Sequence, residues 1–120
     1  MDGIVGVEKI AEDGVAVITF KTTSVSDVEG IAAASNQIKQ FIDEHHPNSL
    51  IFDFEGVRFF SSQVLGLLLD IRAKLQERQG QVVISAINPQ LHRVFKITNL
   101  DQIFKFFPDR TSAVRAMSTG

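Results

Sequence analysis

The 120-residue chain contains no cysteine, which excludes a disulfide framework, thiol chemistry and a thiolate metal site. That absence fits a reducing cytoplasm. The formal net charge is only −2, and no segment concentrates Lys or Arg, so direct attraction to nucleic acid or to a membrane surface is not expected. Long apolar runs are missing as well. The longest, Val64 to Ile71, is interrupted by Asp70 and falls far short of the roughly 20 residues that cross a bilayer. Met1-Asp2-Gly3-Ile4 has no basic segment leading into an apolar stretch, so no secretory signal is expected. Repeats, low-complexity tracts and linker-like segments are absent too, leaving no point at which to divide the chain. The expectation is one soluble intracellular domain spanning residues 1–120, long enough to bury roughly two-thirds of its unfolded surface.

Catalytic signatures are equally scarce. There is no Gly-x-x-x-x-Gly-Lys-Ser/Thr loop to cradle phosphates and no Gly-x-Ser-x-Gly elbow, so neither an enzyme nor a cofactor is expected. His45-His46 invites a metal reading. Adjacent histidines, however, point in different directions around a helix, whereas a zinc pair on one face needs a spacing such as i, i+4. His92 supplies no third ligand that sequence can place, and the favoured reading is a solvated last helical turn in which histidine complements the dipole.

What is present centres on Leu50 to Leu75. Leu50-Ile51-Phe52-Asp53-Phe54 is nearly all apolar, the pattern of a strand covered on both faces. Glu55-Gly56 break the run, Val57-Arg58-Phe59-Phe60 lead to Ser61-Ser62, and Val64, Leu67, Leu68, Ile71 and Leu75 then recur at helical spacing. The two serines therefore sit at a strand-to-helix junction, where partial positive charge and free N–H groups favour an anion. Three readings of the pair stand: an N-cap, a regulatory phosphosite, and a catalytic nucleophile. The last has no evident base or orienting group beside it.

The segment Val57-Arg58-Phe59-Phe60-Ser61-Ser62-Gln63-Val64-Leu65-Gly66-Leu67-Leu68 resembles the signature of STAS domains, the bacterial anti-sigma factor antagonists, in which V-x-F-I is followed by D-S-S-G-L-G and a helix. Gapless matching places Ser61 at the family's aspartate and Ser62 at its phosphorylatable serine, while Val64 replaces a family glycine. The resemblance extends from Asn88-Pro89-Gln90-Leu91 through Phe95-Lys96-Ile97-Thr98-Asn99-Leu100-Asp101, similar to the family's late helix and L-T-G-L-D turn, and to Phe104–Ala113, so it covers most of the chain.

From the N-terminus, Ile4–Ile10 and Val15–Phe20 flank Glu12-Asp13-Gly14 and predict a β-hairpin. Lys21–Val25 reads as a polar loop. Ser26-Asp27-Val28-Glu29 matches a capping box with Ser26 as N-cap, opening a helix whose inner stripe is Val28, Ile31, Ser35, Ile38 and Ile42, widened by Ala34 and Phe41. His45-His46-Pro47-Asn48 stops it. Beyond the central helix, Gln79-Gly80 is a stop and Gln81–Ile87 a strand, parallel to its predecessor because a strand–helix–strand crossover requires it. Asn88 caps a further helix with Pro89 at N1 and an inner face of Leu91, Val94, Phe95 and Thr98. Ile103–Phe107 is a last strand, Pro108–Met117 a terminal helix with Ala113 and Met117 inward, and Ser118-Thr119-Gly120 a frayed end. The pattern predicts an α/β fold: one mixed sheet of four to five strands, with about four helices packed mainly on one face.

The resemblance implies a function. The unmodified domain captures an anti-sigma factor serine kinase and so frees a sigma factor for transcription; the kinase phosphorylates a serine, here Ser62 with Ser61 as second choice, and a serine phosphatase reverses the modification. The predicted contact surface comprises Thr22, Thr23, Ser24, Arg58, Phe59, Ser61, Ser62 and Gln63. Of Phe59 and Phe60, at most one is expected outside the core. Asp53 needs partners if buried, either loop N–H groups or a role in shaping the surface beside Ser62. The replacement of the family's Asp and Gly by Ser61 and Val64 supports an alternative, an unphosphorylated STAS module that scaffolds a larger signalling or transport assembly. The expected state is a monomer or weak homodimer.

Overall fold

The apolar run at the centre of the chain becomes β4 (Ser49–Asp53), buried at every residue. Its backbone pairs in parallel with β2 (Val15–Phe20) on one side and β6 (Gln81–Ser85) on the other. The computed structural model describes residues 7–12 and 14–118. Its main sheet has five strands in the order β1-β2-β4-β6-β7, with β1 (Val7–Glu12) antiparallel to β2 and β7 (Lys105–Phe107) parallel to β6. This is the expected mixed sheet. The expected N-terminal extension of β1 to Ile4, Asp13 of the hairpin turn, and the frayed Thr119-Gly120 lie outside the described residues. Ser118 is the last residue of a helix, its Oγ donating to the Val114 carbonyl over 2.8 Å.

The helices divide three to one between the faces. On one side α1 (Val28–His45), α2 (Ser62–Gln76) and α3 (Pro89–Ile97) enclose the larger core with Ile18, Phe20, Leu50, Phe52 and Ile84. Phenylalanine supplies much of its bulk: Phe20 stacks on Phe52 at 6.1 Å, and Phe95 meets Phe60, Phe104 and Phe106 edge-on, arrangements that suit the ring quadrupole. The alternate residues Val15, Val17, Ile51 and Val83 face the other way, where Ala113 of α4 (Arg110–Ser118) covers them. Asp109, just ahead of α4, accepts hydrogen bonds from Ser112 N and Oγ, each 2.8 Å. These bonds, the backbone one foremost, hold its carboxyl below the usual range. Any stability they lend is present above the unfolded carboxyl value of about 3.9 and is lost as pH falls through the lower folded value.

Several local expectations are corrected. Asp27, not Ser26, caps α1: its Oδ2 accepts from Gly30 N at 2.6 Å. A start one residue later puts Gly30 at N3, so Glu29 cannot close a capping box. Val28, placed on the inner stripe by its spacing, is 59% exposed at the open first turn. Thr98 is also exposed, its Oγ1 turned back to the Val94 carbonyl at 2.8 Å. Lys21–Val25 is not all loop, since β3 (Ser24–Val25) pairs in parallel with β5 (Phe59–Phe60) as a separate two-stranded ribbon. The last strand begins at Lys105 instead of Ile103, after a single 3-10 turn at Leu100–Gln102. His46 takes the left-handed conformation, φ 51°, closes α1 through its N–H to Ile42 O, and receives Arg78 Nη1 at its Nδ1 over 3.0 Å. Arg78 can only donate, so that ring nitrogen is the acceptor.

Two glycines should respond oppositely to alanine. Gly66 lies within α2 with open space where a Cβ would go, and Gly66→Ala should raise stability by about 0.5–1 kcal/mol. At Gly80 an added Cβ would lie 2.5 Å from Leu75 Cδ1 and 2.9 Å from the Asn48 carbonyl, so Gly80→Ala should cost about 1–3 kcal/mol. Urea unfolding of both variants checks the pair, and a stable Gly80→Ala would contradict this close approach of the turn after α2 to Asn48, just ahead of β4.

Candidate functional site

Asp53 ends β4 at only 1% exposure, and the segment after it must carry the chain from the sheet centre to the surface. The Asp53 Oδ1 accepts from Ser85 Oγ at 3.0 Å and from Glu55 N at 3.4 Å, the second an Asx-type turn. Gly56 follows at φ +85°, a conformation that glycine enters without steric cost. The Asn88 side chain acts at both its ends: Oδ1 caps α3 by accepting Leu91 N at 2.9 Å, and Nδ2 donates to the Val57 carbonyl at 3.1 Å. The Thr23 carbonyl then accepts Arg58 N at 2.7 Å and Phe59 N at 3.2 Å, and the Val25 carbonyl accepts Ser61 N at 3.0 Å. Backbone and side-chain bonds from β3, β6 and α3 thus hold the segment ahead of α2.

At its end the two serines are placed differently. Ser61 is the N-cap residue of α2 by its extended backbone, φ −86° and ψ 169°, but its side chain makes no capping bond. Its Oγ is buried without any hydrogen-bond partner. Ser62 occupies the first helical position and is exposed, as is Gln63, while Val64 turns into the core. The side-chain N-cap reading therefore fails for both. The oxygen of Ser61, the second-choice phosphosite, is buried, whereas the first choice, Ser62, is an exposed residue.

The other predicted contact residues converge here from two parts of the chain. Ser24 faces Phe59 across the β3–β5 ribbon. Thr23, Ser24 and Arg58 are exposed, Thr22 is half-buried with its Oγ1 donating to the Ser24 carbonyl at 3.0 Å, and Phe59 is 53% exposed while Phe60 is buried. One phenylalanine of the pair is outside the core, as expected. Among the described residues, no group of three or more His, Cys, Asp or Glu side chains could hold a metal, and no helix is long and apolar enough to cross a membrane.

Sequence reasoning missed the rest of Asp53's surroundings. Loop N–H groups supply only one of its bonds. Arg110 reaches Oδ2 with both Nε and Nη2 at 3.2 Å, and Nη2 also donates to Thr19 Oγ1 at 2.6 Å. Arg110 follows Asp53 by 57 residues, and nothing in the local pattern of either residue announces the pair.

The STAS domain family model matches residues 7–113. The chain belongs to the STAS family. Among solved structures, the STAS domain is similar to an anti-sigma factor antagonist from Mycobacterium paratuberculosis, at 24% identity and TM-score 0.80 over 97% of this chain and 96% of that one. An anti-sigma-factor antagonist domain protein from Planctomyces limnophilus superposes at TM-score 0.82 with 22% identity, over 92% of this chain and 96% of that one. The Bacillus cell fate determinant SpoIIAA in its phosphorylated form matches at TM-score 0.72 with 19% identity, over 94% and 98%. At these identities the likeness establishes the shared fold.

The orphaned Ser61 hydroxyl generates a prediction. Truncating an N-cap serine ordinarily costs about 1 kcal/mol, but here there is no cap bond to lose and a buried polar atom would be removed. Ser61→Ala should be as stable as the parent or up to about 1 kcal/mol more so, by thermal or urea unfolding. A loss of 1 kcal/mol or more would mean that the hydroxyl does cap α2.

Proposed function

We propose that this STAS domain is an anti-sigma factor antagonist that works by partner switching, with phosphorylation of Ser62 as the switch. The observation that carries the reading is the exposure of Ser62 at the first position of α2, three residues after the exposed Phe59. Likeness to solved anti-sigma factor antagonists supports the choice of partner. Unmodified, the domain binds an anti-sigma factor serine kinase in the cytoplasm through Thr22–Ser24, Arg58, Phe59 and the start of α2, freeing the sigma factor. The kinase then transfers the γ-phosphoryl group of ATP. The Ser62 oxygen forms the new bond to phosphorus, the bond to ADP breaks, and the hydroxyl proton passes to a base on the kinase. A serine phosphatase restores the hydroxyl by hydrolysis. The domain itself supplies no catalytic group, only the acceptor.

The physical logic is that the modified domain tolerates the group and its complex does not. A phosphoserine carrying about −1.5 to −2 charge at a helix N-terminus is stabilised by the dipole, by about 0.3–1 kcal/mol for an exposed site. Pressed into an interface next to an aromatic ring, the same group meets desolvation and bulk without a provided partner, which favours release.

The test is to incubate wild type and Ser62→Ala with the cognate kinase and ATP, and to map phosphate by mass spectrometry. Binding of unmodified and phosphorylated protein to the kinase is then measured by titration. Phosphate is expected on Ser62 alone, absent from the variant, with kinase affinity falling by at least about tenfold on modification. Phosphate elsewhere, or none with a kinase shown to bind, would replace this reading with that of an unphosphorylated scaffold.

A further inference from the structure

Asp53 is a buried carboxylate whose partners come from three directions, and only one of them carries charge. Ser85 Oγ and Glu55 N converge on Oδ1, the first from β6 and the second from the turn that leads toward Ser61 and Ser62. Oδ2 is held by Arg110 Nε and Nη2, both at 3.2 Å. Arg110 is the first residue of α4, the helix on the opposite face of the sheet from α1, α2 and α3. Its Nη2 is in turn tied to Thr19 Oγ1 of β2 at 2.6 Å. The guanidinium therefore spans from the far-face helix to the carboxylate that steadies the serine-bearing segment.

We infer that Arg110 is a positioning residue for Ser62, acting through Asp53, so that the seating of α4 sets how well the segment 54–62 is presented to a modifying enzyme. The inference rests on the reading of Ser62 as the modified residue. Burying one charge of a pair without the other is strongly unfavourable, so loss of the guanidinium forces Asp53 to find another partner. The bond most easily given up is the longest, that to Glu55 N at 3.4 Å. The segment's other bonds are the Ser85 carbonyl on Phe54 N, the Phe54 carbonyl on Val57 N, the Asn88 side chain on Val57 O, and the Thr23 and Val25 carbonyls on Arg58, Phe59 and Ser61. They resist a wholesale displacement, so freedom is gained first at the turn of residues 55–57 and is passed on to Ser62 in reduced measure.

A loosened segment spends less time in the conformation the kinase accepts. Apparent affinity falls by that fraction, whereas turnover of the bound complex does not. Arg110→Met should therefore raise the KM for Ser62 phosphorylation about three- to tenfold with kcat little changed. Amide exchange at residues 55–57 should accelerate by at least about tenfold relative to amides in the middle of α1. Arg110→Lys, which keeps a cation within reach of Asp53, should recover part of both effects and keeps the experiment readable if the methionine variant does not fold. Unchanged exchange at 55–57 in a folded Arg110→Met, or faster exchange with KM unchanged, would overturn the role assigned to Arg110. Either result would leave phosphorylation of Ser62 standing. Absence of phosphate on Ser62 in wild type would instead remove the functional reading, a result that the exchange measurement cannot produce.

Discussion

A strand buried on both faces has nowhere to place a charge, and β4 ends on one. Every residue of Ser49–Asp53 is buried, with parallel strands bonded on either side. The sheet can carry Asp53 there only because groups from the following turn, from β6 and from α4 reach its two oxygens. Burial of a carboxylate without such partners costs more than this fold could absorb. The requirement to satisfy it ties together the exit of the chain, the end of β6 and the N-terminal seat of α4.

The same requirement explains which parts of the structure were legible in the sequence. The nearly all-apolar run of Leu50–Phe54 announced a two-sided strand, and the 3.6-residue recurrence from Val64 to Leu75 announced its helix, because both signals arise from many residues obeying one pattern. Asn88-Pro89 marked the start of α3 by side-chain chemistry alone. The β3–β5 ribbon has only two residues on each side, too few for any period, and its register is set by long-range carbonyls such as those of Thr23 and Val25. Ser26 and Asp27 are both good N-caps, and local sequence does not decide between them; in the structure Asp27 takes the role. Val28 has the spacing of an inner residue yet lies 59% exposed, since a periodic stripe says nothing of whether a neighbour exists at the helix end.

At the candidate site the sequence located the serines to a residue but not their division of labour. Here the two adjacent side chains do not share a direction: the backbone passes from extended at Ser61 to helical at Ser62, and the side chains diverge. One hydroxyl goes under the surface without a partner, the other into solvent. The resemblance to STAS domains points to Ser62 by alignment, and Ser62 is the exposed member of the pair. Phe59 follows similarly from alternation: Phe60 fills the core between Phe54 and Phe95, and its neighbour is left on the outer side.

The arrangement also bears on what kind of switch such a site can be. A modification that had to refold the domain would have to overcome the bonds to β3, β6 and α3 that hold residues 54–61. A phosphoryl group on an exposed side chain at the first turn of a helix meets none of that resistance, because the dipole and the free N–H groups already favour it. Were Ser62 modified as proposed, the segment would hold the acceptor and the added charge in the same place, so the difference in free energy would fall on the interface and not on the fold.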